Sequence, residues 1–126
     1  MSGNKNIFRR MIFCALLAAA LLPLAGCEDD DDYDHKPPAG MGTLVLENDT
    51  VDDISVAIDG VIQPKVRDDS NRKYDLLPGV RRLVLDQQGG DRAWRGDADI
   101  IEGHLTIINI RPHADPDRFD ISVRFD

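Results

Sequence analysis

The sequence predicts an all-β fold, a small antiparallel β-sandwich of about seven or eight strands over residues 41–126, behind a cleaved signal peptide. Three observations predict it. Between Met41 and Asp126 apolar residues alternate with polar ones instead of recurring at helical spacing. The alternating runs are short and separated by Gly-containing pairs that make tight turns. Residues 41–126 are enough for one small core and too few for two.

Taken in order, Leu44 and Leu46, then Ile54, Val56 and Ile58, set one apolar face against one polar face, as half-buried strands require. Val61 to Val66, Arg72 to Leu77 and Val80 to Gln87 follow, with a weaker run from Ala93 to Ile101. In His104 to Ile110 the residues Leu105, Ile107, Ile108 and Ile110 predict burial on both faces. Phe119, Ile121, Val123 and Phe125, interleaved with Asp120, Ser122 and Arg124, give the clearest alternation of all. Turns are expected at Asp59-Gly60, Pro78-Gly79, Gly89-Gly90 and Glu102-Gly103, and the polar segment Arg111 to Arg118 should join the final two strands.

The N-terminal part reads differently. Lys5, Arg9 and Arg10 precede an apolar stretch from Met11 to Leu22, too short for a bilayer core that needs about 20 apolar residues. Small residues then lead to a cysteine, the layout of a secretory leader. Leu24-Ala25-Gly26-Cys27 resembles the lipobox of bacterial lipoprotein precursors. That resemblance implies cleavage after Gly26, with Leu24, Ala25 and Gly26 as the recognition residues and Cys27 as the first residue of the mature chain. It also implies a diacylglyceryl group on the Cys27 thiol and acylation of the new amine, with palmitate-type chains as the membrane anchor. Two or three chains hold stably where one is marginal. Residues 1–26 are thus the expected signal peptide.

Cleavage removes three basic residues and no acidic ones, so the formal charge moves from −8 to −11. Such a balance disfavours nucleic acid and anionic membrane surfaces as direct partners. Cys14 leaves with the leader and Cys27 carries lipid, so no thiol remains for a disulfide or a metal, and redox chemistry is not expected. Residues 27–40 form the expected lipid-anchored tether: Glu28 to Asp34 is an acidic, self-repelling run, and Pro37-Pro38 favours extended backbone. Fully extended, residues 28–40 reach about 45 Å, which keeps the domain near the membrane. The Asp run lacks the loop spacing of a calcium site and is read as a solvated spacer. In some Gram-negative lineages Glu28 and Asp29 occupy positions that influence sorting. The expected location is therefore the periplasmic face of the inner membrane or the outer membrane, with the choice open.

Gly42 to Asn48, then Ile54 to Gly60, then Tyr74 to Leu85 with its Leu77-Pro78-Gly79 turn, resemble the order of features in PEGA-type domains. These are small β-sandwich modules, related in architecture to transthyretin-like folds, on bacterial envelope proteins. The family's Pro-Glu-Gly-Ala loop is here Thr50-Val51-Asp52-Asp53.

No catalytic constellation stands out. His35, His104 and His113 are scattered without ligand spacing, and no metal site or cofactor is expected from them. Asp97, Asp99 and Glu102 read as an exposed turn before a calcium or acid-base site. Ser55 and Ser122 lack a nucleophile-elbow sequence. Trp94, flanked by Arg92 and Arg95, is read first as a core anchor, since a small domain with few aromatics needs its large ones inside, and with its two cations it is also the candidate binding group. The expected function is a noncatalytic, lipid-anchored envelope protein that contacts another envelope protein or a cell-wall polymer. A small-ligand or divalent-cation binding lipoprotein is the competing class.

Overall fold

A computed structural model describes residues 33–126, and the strands all lie within the unit Lys36–Asp126. Leu24, Ala25, Gly26 and Cys27, with the rest of the expected leader, lie outside the described residues. Residues 33–38 have no helix or strand; Ala39 and Gly40 turn, closed where the Met41 N–H donates to the Pro38 carbonyl at 3.0 Å.

The eight strands are β1 (Gly42–Asn48), β2 (Ile54–Ile58), β3 (Val61–Val66), β4 (Ser70–Leu76), β5 (Gly79–Gln87), β6 (Ala93–Ile100), β7 (Leu105–Pro112) and β8 (Phe119–Phe125). They build two four-stranded sheets, β4-β1-β7-β8 and β3-β2-β5-β6. The all-β sandwich expected from alternation is what the chain forms. One pairing departs from a wholly antiparallel arrangement: β1 and β7, the central strands of the first sheet, run parallel. Central parallel strands are apolar on both faces, and Leu105 to Ile110 are accordingly all buried.

Each hairpin follows from its turn residues. Asp59 and Gly60 have φ of 51° and 80°, and Ile58 pairs directly with Val61, so β2 and β3 are joined by a two-residue turn with both φ positive. This type I′ geometry matches strand twist and selects Asp-Gly. Asp59 also accepts from the Arg82 backbone N–H at 2.9 Å and from the Arg81 side chain, which holds its carboxyl below the usual range, the Arg82 contact contributing most.

The core lies between the sheets. Leu44, Leu46, Ile108 and Ile110 from the first meet Ile54, Val56, Ile58, Leu83, Leu85 and Ile100 from the second. Tyr74 closes one side: its hydroxyl donates to the Pro64 carbonyl at 2.7 Å, linking the edge strands β4 and β3. Burial pushes the Tyr74 phenol up to about 12, against the nearby Arg72 charge, which lowers it.

The last strand departs from the sequence reading. Its apolar set faces inward, but only Phe119 is buried; Ile121 is half-buried, and Val123 and Phe125 are 48% and 54% exposed. The reason is that β8 is an edge strand. Beside its start the Ala93 N–H donates to the Asp117 carbonyl, and β6 then moves over β7, where the Thr106 hydroxyl donates to the Asp99 carbonyl at 2.6 Å. The far half of β8 has no strand opposite it.

Candidate functional site

The three residues singled out for binding are assigned three different positions by the β6 pleat and its preceding turn. Trp94 pairs with Leu85 and faces inward, half-buried against the core. Its indole lies across Gly96, two residues on along the same face, where an added Cβ would collide with the ring. Arg92 lies before the strand: its Nε donates to the Arg118 carbonyl at 2.9 Å and its Nη2 to the His113 carbonyl at 2.8 Å. It clamps the loop between β7 and β8. Arg95 alone faces outward from the second sheet, opposite Val84. Successive strand residues point to opposite faces, so Trp94 and Arg95 do not share a surface.

Arg95 ends an apolar row that crosses the whole second sheet. Ile62 on β3 pairs with Ala57 on β2, Ala57 with Val84 on β5, and Val84 with Arg95 on β6. Ile62 is 85% exposed. On one side of the row lie Ser55 and Asp86, on the other the Arg82–Asp97 ion pair at 2.8 Å. The side chains of Arg95 and Asp86 make no hydrogen bond or ion pair among the described residues. A free cation and a free carboxylate thus lie together at the β5–β6 end of an aliphatic strip. The shallow depression lined by Ser55, Ala57, Ile62, Val84 and Asp86 measures about 210 Å³. That is below the roughly 300–1,000 Å³ of small-molecule pockets and suits a single inserted side chain.

No protein-family model and no curated protein matches this chain.

The other candidate groups are placed as structural or peripheral. Asp97 is held by Arg82, Asp99 lies farther along the same outer face, and Glu102 stands in the turn before β7. His113 accepts from the Asp115 N–H through Nδ1 at 2.9 Å within its own loop, and His104 is exposed in the bend just before β7. Ser55 accepts from Gln88 Nε2 at 3.0 Å. Among the described residues no group of three or more His, Cys, Asp and Glu side chains is arranged to hold a metal ion.

The loop from Asp49 to Asp53 is a polar knot around Asn48. The Asn48 carboxamide is fully buried; its oxygen accepts from the Thr50 N–H at 3.0 Å and the Thr50 hydroxyl at 2.7 Å. Its amide protons face the carbonyls of Asp52 at 2.8 Å, Arg67 at 3.0 Å and Val66 at 3.2 Å. Asp53 receives the Asp68 N–H at 2.9 Å and pairs with Lys65 at 2.8 Å; the Lys65 contact is the main reason its carboxyl lies below the usual range.

Sequence reasoning did not single out Ile62, Val84 or Asp86. The adjacent apolar pair Val61-Ile62 was the available signal, since alternation sends one of two neighbours outward.

Proposed function

We propose that the chain is a noncatalytic, lipid-anchored protein of the bacterial cell envelope. Its β-sandwich is an interaction module that docks another envelope protein or a cell-wall polymer through the outer face of the second sheet. The observation that carries this reading is the outward row of exposed Ile62 and half-buried Ala57 and Val84, with the unengaged Arg95 and Asp86 beside Val84 at one end. Aliphatic contact flanked by opposite charges favours docking of a complementary surface, with the charges fixing orientation. The lipobox at Leu24 to Cys27 supports the anchor, the acidic segment that follows supports a short tether, and the resemblance of residues 42–86 to PEGA-type modules supports an envelope setting.

Crosslinking in native membranes followed by capture of the full chain tests the proposal. One envelope component should be enriched with the wild-type protein, lost with Ile62→Asp, and lost with the unlipidated Cys27→Ser form. Normal lipidation of Cys27→Ser, read by intact mass and detergent partition, would remove the anchor from the proposal. Equal enrichment with Ile62→Asp would remove the docking face.

A further inference from the structure

The four edge strands are not equally guarded against pairing with another chain. β3 contains Pro64, β4 carries Arg72 and Lys73, and the outward residues of β6 include Arg95, Asp97 and Asp99. β8 has no proline or glycine, its two charged residues, Asp120 and Arg124, are of opposite sign and equally spaced about Ser122, and two of its apolar residues, Val123 and Phe125, are exposed. Its backbone is in register for a further strand. Leu105 and Asp126 exchange both backbone bonds, at 2.9 and 3.0 Å, so they are a hydrogen-bonded antiparallel pair. Alternation then turns the N–H and C=O of Ser122 and Arg124 toward β7 and those of Ile121 and Val123 toward the open edge.

The strand Phe119-Asp120-Ile121-Ser122-Val123-Arg124-Phe125 is also complementary to itself when reversed. We propose that β8 pairs antiparallel with β8 of a second copy of this chain, about a two-fold axis through Ser122. In that register Ile121 lies opposite Val123 of the second copy and exchanges both backbone bonds with it, and Asp120 lies opposite Arg124. Asp120 makes no side-chain bond among the described residues. Arg124 already holds Glu47 at 3.2 Å, and a guanidinium has five N–H donors, enough for a second carboxylate. The two like-charged molecules therefore meet where their local charges are opposite and their apolar side chains are bare. Pairing stops before Phe119, because the bridge between Ala93 and Arg118 occupies the start of the edge. So short a contact belongs at the weak end of protein interfaces, and the dimer is reversible. An isologous edge pairing of this kind closes on itself and does not propagate.

Disulfide trapping of the full chain in the membranes of a bacterial host tests the register directly. Ser122 faces its own copy as a non-hydrogen-bonded pair with Cα atoms about 4.5 Å apart, within disulfide reach. Two copies of residue 120 would be about 14 Å apart, beyond it. Mild oxidation should give a linked dimer with Ser122→Cys and none with Asp120→Cys or the parent chain, which carries the same Cys14 and Cys27. Val123→Pro removes an N–H that β7 does not use, and in the Ser122→Cys background it should abolish the dimer while the melting transition is retained. If that variant fails to fold, Asp120→Arg, which sets like charges opposite each other, takes its place with the same expectation. The proposal is overturned by absence of the Ser122→Cys dimer, by equal linking through Asp120→Cys, by linking that survives the edge variant, or by linking to a different protein.

Discussion

Asn48 concentrates more of the molecule's polar contacts than any other buried side chain described here, tying the end of β1 to the loop before β2 and to the turn after β3. A buried amide with all its partners rigidifies a loop, and truncation leaves those partners dry and unpaired. Asn48→Ala should therefore cost about 2–4 kcal/mol in urea unfolding, more than a single lost bond. Gly96 gives a second residue-scale prediction. Its missing Cβ lets the Trp94 indole lie flat along β6, so Gly96→Ala should displace the ring, shift its fluorescence and destabilise by about 1–3 kcal/mol. Unchanged Trp94 emission in that variant would contradict the packing described. Neither residue stands out in the sequence: Asn48 reads as the polar end of a strand, and Gly96 as a flaw in a weak one. Burial and close approach gave them their roles.

At the scale of elements, the strands were legible because each carries its own period, and the turns because Asp59-Gly60 requires backbone that few residues adopt. Gly60→Val should destabilise the β2–β3 hairpin by about 1–2 kcal/mol, since φ of 80° is strained for a β-branched side chain, with hydrogen exchange in β3 rising first. What a strand cannot encode is its neighbour. β8 has the best alternation in the chain and is among its most exposed strands, because it lies at an edge with half its inner face uncovered. β6 has a poor pattern, yet it places Ala98 and Ile100 in the core and Arg95 on the candidate docking face. The docking row joins two residues from each of two hairpins across residues 57–95, so no local window contains it.

The whole molecule responds to pH through groups that folding places. Tyr74 keeps its proton in the folded state to about pH 12, whereas the unfolded chain releases it near the ordinary value of 10. Between these limits the unfolded state binds fewer protons, so stability falls as pH rises from 10 to 12, by on the order of 2 kcal/mol. Tyr74→Phe should show no such contribution, which alkaline melting of the two proteins compares directly. On the acid side, Asp53 and Asp59 have lowered folded values, so their contribution is present above the ordinary carboxylate range and is lost as pH falls through the folded values. Exchanging either for Asn should flatten the acid limb of the stability profile.

The sequence by itself determined the all-β class, the order and approximate limits of the strands, the turns at Asp59-Gly60 and Glu102-Gly103 and the two-sided burial of β7, although Arg111 and Pro112, expected in the following loop, continue that strand. These are local properties, written in residue period and backbone preference over a few neighbours. Only the tertiary structure decided that β1 and β7 run parallel, that Trp94 turns inward while Arg95 turns outward, and that Arg92 clamps a loop. It also decided which face gathers Ile62, Ala57 and Val84. The physical reason is that sheet order and edge position follow from how two apolar faces close over one core, an energy shared among strands and carried by none of them alone.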